Sequence, residues 1–219
     1  MSARAAFCPN CGAPIHFLWS SAVQTTCEFC HSILVRTDVN LQKVGEVADL
    51  PPDSSPIQIG TEGAYNNKSF TVVGRIIYEY GAGSWNEWHL IYNDGTSGWL
   101  SDAQLDYDLS WLVTPAPLLP ADGTVTRGRE LTLLNKKFAV TSITRAHYKG
   151  VQGELPFEYW DKADLNFADL RSTEGDFATI DYSEKPALLF MGRPAEFDEL
   201  HLKNLREFEG WSYSGSGPR

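Results

Sequence analysis

Hydrophobic and polar residues alternate over twelve positions in SFTVVGRIIYEY (69–80), with Phe70, Val72, Gly74, Ile76, Tyr78 and Tyr80 on one face and Thr71, Val73, Arg75, Ile77 and Glu79 on the other. A period of two sustained over that length predicts a strand, and the glycine within it a bulge or bend. GAGS (81–84) turns the chain, and WNEWHLIY (85–92) resumes the alternation with Trp88, Leu90 and Tyr92 on one face. Asn93-Asp94-Gly95 is a hairpin signal, followed by the short strand TSGWL. Three strands on short turns make a meander, whose edges are best protected by curling into a small barrel.

The pattern then recurs. NNKSFTVVGRI (66–76) aligns with LNKKFAVTSIT (134–144), sharing Asn-Lys-x-Phe-x-Val, and the proline-rich WLVTPAPLLPADGT (111–124) joins the two copies. LPFEYW, NFADLR, FATIDYS and ALLFMGR read as further strands, with Glu174-Gly175-Asp176 as a turn. FDELHLKNLREF is expected to form a short helix or a strand with a helical turn, and the tail beyond Trp211 to be disordered. Before these modules, the stretch 37–56 carries Pro51, Pro52 and Pro56 among polar residues and reads as a linker with one strand.

Four cysteines stand near the start, in FCPNCGAPIHFLWSSAVQTTCEFCHS: Cys8 and Cys11, then Cys27 and Cys30, with fifteen residues between the pairs. Pro9 and Gly12 suit the tight turn that lets two thiolates face one ion, and the intervening residues suffice for a hairpin that returns the second pair to the first. Four thiolates describe a closed, structural zinc site with no open position for water or substrate. A rubredoxin-type iron site uses the same ligands. Disulfides and a thioredoxin-like pair fit less well, because two CxxC units occur and neither has a βαβ context. His16 and His31 lie close by but are surplus to a complete set of four.

The expected fold class is therefore mainly β: a zinc ribbon (1–36), a linker (37–56), a first β module (57–110), a proline-rich linker (111–127), a second, related barrel or meander module (128–208) and a tail (209–219). A segment of about 35 residues buries too little apolar surface to fold alone, so the ion's expected role is to fold it.

Charge narrows the partners. The net charge is −10, distributed as about +1 over 1–36, −8 over 37–110 and −3 over 111–219, so no concentrated basic face awaits a phosphate backbone. The acidic middle favours a basic partner or a cation. No run approaches the ~20 apolar residues of a membrane span, no signal-like apolar segment precedes the first cysteine, and association with a membrane complex would be peripheral. Unpaired thiols favour a reducing compartment, so a cytoplasmic location is expected.

FTVVGRIIYEY, WNEWHL, DGTSGWLSDAQ, ADLRSTEGDFATIDYS and GRPAEFDELHLKNLR together resemble the bacterial family of the domain of unknown function 4178 over roughly residues 57–206. The resemblance implies a β-rich domain, sometimes preceded by a zinc ribbon, with no catalytic residues to carry over. It also implies a stress or envelope-associated setting.

Motifs for chemistry are sparse. The chain has no G-x-S-x-G elbow, and GAYNNKS (63–69) lacks both the glycine before its lysine and the helix that a phosphate loop needs. Trp85, Glu87 and His89 share a face, and Glu87 with His89 could act as an acid–base pair. Packing, or pairing with Arg75, is the plainer expectation. Asp169, Asp181 and Tyr182 could line a second pocket, although ion pairs of Asp169 with Arg171 and of Asp181 with Arg193 serve structure equally well. The expected function is that of a non-enzymatic adaptor recognising a protein or peptide. The alternatives are an enzyme around Glu87/His89 or Asp169/Asp181, and a nucleic-acid-associated ribbon protein.

Overall fold

The computed structural model describes residues 6–37, 40–47, 54–158 and 164–208. The expected disordered tail lies outside them. The N-terminal unit carries β1 (Ala6–Phe7), β2 (Pro14–Ile15), β3 (Gln24–Thr26), β4 (Ser32–Arg36) and β5 (Leu41–Glu46), paired β1–β2 and β3–β4–β5. The strand expected within the linker is thus β5, which adds to the ribbon's own sheet.

The remaining strands form two meanders of five. The first comprises β6 (Glu62–Tyr65), β7 (Lys68–Tyr80), β8 (Gly83–Tyr92), β9 (Ser97–Ala103) and β10 (Asp106–Leu112). The second comprises β11 (Glu130–Leu133), β12 (Lys136–Gly153), β13 (Asp164–Ser172), β14 (Phe177–Asp181) and β15 (Leu188–Pro194). The sequence echo is a structural repeat. Asn66-Asn67 and Leu134-Asn135 turn β6 into β7 and β11 into β12 with both φ angles positive, the hairpin geometry that asparagine tolerates. Gly60 N–H donates to Val72 O and Val72 N–H to Thr61 O, and Gly128, Val140 and Arg129 repeat that pair of bonds. Each long strand then carries a register shift, between Val72 and Gly74 and between Val140 and Ser142.

The two meanders share one sheet. Its order is β11-β12-β13-β14-β15-β10-β9-β8-β7-β6, and β12 also pairs with β7, so all strands but β6 and β11 close into an antiparallel ring. Closure removes the edges that two separate meanders would expose.

Two departures from expectation follow from packing. LPFEYW is not a ring strand: Leu155 forms an isolated bridge to Gln24 of the ribbon, and the end of that segment is outside the described residues. The stretch expected to close the second module returns to the first. Ala195 and Leu200, the latter in a 3₁₀ turn at Phe197–Leu200, join Phe70, Val72, Trp88, Leu90 and Tyr92 in one buried cluster, and Lys203 bridges to Glu62. Burial of Leu200, worth roughly 1.5–3 kcal/mol, gives the segment a reason to cross back.

A second cluster, around Phe138, Val140, Leu170 and Ile180, lies under the proline-rich connection, where Val125 packs. A third joins inward-facing Ile76, Tyr78, Trp99 and Phe167 to Leu155 and to Ile33, Val44 and Val47 of the ribbon. The ribbon therefore closes one end of the ring and shares its core.

Candidate functional site

Each cysteine pair sits on a tight knuckle. Gly12 N–H donates to Cys8 O and Cys8 N–H to Ala13 O, each at 2.8 Å; His31 N–H to Cys27 O and Cys27 N–H to Ser32 O repeat the arrangement at 2.9 Å. The fifth residue of each knuckle has positive φ, +77° at Gly12 and +55° at His31. The four sulfurs lie within 4.8 Å of one another, with Cys8–Cys30 at 3.6 Å and Cys11–Cys27 at 3.7 Å, far beyond a disulfide bond. Cys8 and Cys27 are buried, and Ser32 Oγ stands 3.2 Å from Cys30 Sγ. This donor set fits a tetrahedral metal centre closed to further ligands.

From the knuckles the chain passes through loop 16–21 onto the ring. Leu18 and Trp19 donate their backbone N–H groups to the two carboxylate oxygens of Glu154, at 2.6 and 2.8 Å. Glu154 is 3% exposed; burial pushes its carboxyl up, and the two N–H donors oppose that. Its backbone carbonyl accepts from Nδ1 of His89 at 2.9 Å, which leaves Nε2 of His89 to accept from Ser97 Oγ at 2.8 Å. Trp19 meets the His89 ring edge-on at 5.1 Å. His89 is fully buried and held neutral, its pKa pushed down to about 4 by desolvation.

Glu87 shares His89's face, but its company is different. Strand register places Glu87, Ser101 and Asp108 side by side across β8, β9 and β10, and Ser142, Asp169 and Thr179 side by side across β12, β13 and β14. That face is the inside of the ring. Arg171 on β13 reaches Asp108 on β10, three strands round, with both guanidinium nitrogens at 2.9 Å, a contact that only the interior allows. Glu87 accepts from Trp85 Nε1 at 2.9 Å, and Trp85 stacks on Tyr78 and meets Phe167 edge-on. Asp169 accepts from Ser142 at 2.7 Å and from Thr179 at 2.8 Å.

Desolvation, reinforced by the charges of Asp169 and Asp108, pushes Glu87 up to about 8; burial also raises Asp169 and Asp181. Glu87, Asp108, Asp169 and Asp181 nevertheless keep some accessible surface, so solvent reaches them. The structure thus brings Glu87 together with Asp169, one carboxylate from each half, and sends His89 to the ribbon end.

The ion pairs differ from expectation because register, rather than sequence proximity, selects partners. Arg171 pairs with Asp108 instead of Asp169, and Arg193 with Asp176 instead of Asp181, whose carboxylate caps the Ser183 N–H. Arg75 lies over Trp88 and bonds Asn86 and Gln152, not Glu87 or His89. Sequence reasoning missed Asp108 and Glu154, and it singled out Arg171 with the wrong partner. The alternation of DYDLSW carried a faint signal for Asp108, whereas Glu154 follows a strand end and carried none.

No helix among the described residues is long and apolar enough to cross a membrane. A family model described as Domain of unknown function (DUF4178) matches residues 58–197. No curated protein and no solved structure matches the chain.

Proposed function

The chain belongs to this family of unknown function, whose match spans both meanders, and from that premise we propose that it is a non-enzymatic binding protein, an adaptor that takes a cationic group of a protein or peptide partner into its ring. The observation that carries this reading is the excess of acidic over basic side chains on the inner face, where a bound cation would draw Glu87 into its ionised form. Glu87, Asp108 and Asp169 share that face, Arg171 pairs with one of them, and Trp85 and Phe167 lie on it as well. An ammonium or guanidinium would gain charge-assisted hydrogen bonds and the face of an aromatic ring, worth about 0.5–2 kcal/mol for the ring alone. An array of short peptides varied in Lys, Arg and Glu tests this. Retention of basic peptides, lost at least tenfold in a Glu87→Gln/Asp169→Asn variant, supports the reading, and retention indifferent to peptide charge or to the variant overturns it.

The ribbon serves this protein as a zinc-stapled unit. Tetrahedral Zn–S bonds of about 2.3 Å place sulfurs roughly 3.8 Å apart, close to the separations of 3.6 and 3.7 Å. Free thiols at those separations support residence in the reducing cytoplasm. Zinc bound there would supply cross-linking, held by Cys8, Cys11, Cys27 and Cys30, with Ser32 hydrogen-bonding one thiolate. Metal analysis of the purified protein decides between zinc and iron.

A second reading, catalysis by the inner carboxylates, is favoured by one observation: Glu87 and Asp169 stand on the same inner face, where burial and the neighbouring carboxylates push the Glu87 carboxyl up to about 8. Turnover in a substrate screen that Glu87→Gln abolishes while peptide binding persists would select it.

A further inference from the structure

The two halves of the ribbon are held by different means. β1 and β2 share two residue pairs, Ala6 with Ile15 and Phe7 with Pro14, and the cluster beneath them consists of Cys8, Cys27 and Leu34 with Ala13, Ile15, Cys30 and Leu41 at its margin. Three of those seven residues are candidate metal ligands. Apart from the candidate ligands, this half is tied to β4 and β5 by Leu34 and Leu41 and by one exposed bond, Lys43 Nζ to Asn10 Oδ1 at 3.2 Å, so an ion held by the four sulfurs would be its chief anchor.

β3–β5 belong to the ring's fabric. Val23 and Gln24 N–H both donate to Leu155 O, Leu155 N–H returns to Gln24 O, and Gly153 N–H donates to Thr26 Oγ1 at 2.8 Å. Ile33 is buried in the central cluster with Tyr78 and Trp99. None of these contacts requires the cysteines.

Loop 16–21 bridges the two halves; its hydrogen-bonded hold on the ring is one side chain, Glu154, taking the N–H groups of Leu18 and Trp19, and Trp19 adds its edge-on contact with His89. Arg36 adds a bond to Ser20 O and lies over Phe17, but Arg36 is exposed and sits on the ribbon itself. Leu18 is 64% exposed, so its side chain contributes little to the seat.

We propose that residues 6–21 form a metal-set strap across the ribbon end of the ring: with the ion bound, the strap closes on Glu154 and covers His89; without it, the strap lifts while β3–β5 stay in place. The strap rests on the metal-centre reading and is independent of what the inner face binds. Its effect is to couple metal supply to the exposure of the ring end at His89, Ser97 and Trp99. The buried carboxylate of Glu154 makes the closed state selective, because only consecutive N–H groups in register with its two oxygens compensate it.

The experiment is amide hydrogen exchange on the full chain, zinc-loaded and after chelation, with zinc release followed in parallel by a chromophoric chelator. Chelation is expected to speed exchange at Leu18 and Trp19 at least a hundredfold and to change that of 24–26 and 32–36 less than threefold. The His89 titration should move up from about 4 as Trp19 leaves its ring. Glu154→Ala, which keeps the backbone carbonyl that orients His89, should free Leu18 and Trp19 with zinc still bound. Loss of protection through β3–β5 in step with the loop overturns the strap, as does undiminished protection of Leu18 and Trp19 after the metal has gone or in Glu154→Ala. If zinc never binds, the metal-centre reading fails as well, and the two failures are told apart by the release assay.

Discussion

Arg171 holds Asp108 by two parallel hydrogen bonds of 2.9 Å across the interior of the ring, joining the second meander to the first. The guanidinium also lies 4.4 Å above the ring of Phe177. Asp108 is 14% exposed at its side chain and Arg171 39%, so the pair is only partly desolvated. Replacing Arg171 by Ala removes the bidentate partner and adds an uncompensated carboxylate to an interior already rich in them. A loss of about 1–3 kcal/mol is expected in urea unfolding, and Arg171→Lys should recover only part of it, because a point charge cannot make the forked contact. A change within 0.3 kcal/mol for Arg171→Ala would remove this pair from the account of how the halves are joined.

How the sequence led partway here is instructive. The bulge at Gly74 and the two knuckles are local, and local chemistry announces them, whereas the turns at Asn66-Asn67 and Leu134-Asn135 showed only as part of the repeated Asn-Lys-x-Phe-x-Val. Alternation also put Glu87 on a defined face of its strand. Which face is inside could not be read, because both are covered and the bulge switches the strand's phase. Phe70 and Val72, expected to share a face with Ile76 and Tyr78, pack instead with Trp88 and Leu90 outside the ring, while Ile76 and Tyr78 face its interior. Arg75 and Ile77, opposite them, are just as buried. The pairings that close the ring, β10 with β15 and β12 with β7, join strands about 80 residues apart and are written in no local signal. Glu87 meets Asp169 only once those pairings exist, so the inner site was invisible for the same reason as the ring.

The two knuckles differ at one residue that geometry does not favour. His31 takes φ +55° where its counterpart Gly12 takes +77°, and a side chain with a Cβ is strained in that region by about 1 kcal/mol. His31 is exposed, so removing its ring uncovers no core. His31→Gly should stabilise the metal-loaded ribbon by about 0.5–1 kcal/mol, net of the greater freedom of glycine when unfolded. Zinc affinity measured by chelator competition should rise up to about fivefold; a fall would show that the imidazole contributes to the site.

Gly74 is the point where the end of β12 crosses β7. A Cβ there would stand 2.0 Å from the carbonyl oxygen of Glu154, which is backbone and cannot swing aside. That carbonyl is also the acceptor that orients His89. Gly74→Ala is therefore expected to cost about 2 kcal/mol or more and to loosen the ribbon loop together with the ring. Thermal unfolding measures the first effect, and exchange at Trp19 the second. A fully stable Gly74→Ala protein with native protection at Trp19 would contradict the close approach.

The buried titrating groups pull stability in opposite directions with pH. Glu87 has its pKa raised from 4.5 to about 8, so over that interval the folded state holds a proton that the unfolded chain has lost. Its contribution is fully present below about pH 4.5 and declines until about pH 8, where ionisation finally occurs among Asp108 and Asp169. His89 behaves inversely: lowered from 6.5 to about 4, it favours the folded state above pH 6.5 and withdraws that support as pH falls toward 4. Glu87→Gln should therefore gain stability relative to the parent as pH rises from 5 to 8, and His89→Gln should gain relative to the parent as pH falls from 6.5 to 4. Urea midpoints taken across that range give both differences. Parallel curves for parent and Glu87→Gln would mean that Glu87 is already ionised at neutral pH, and that the interior is better solvated than its surroundings of Trp85, Asp108 and Asp169 imply.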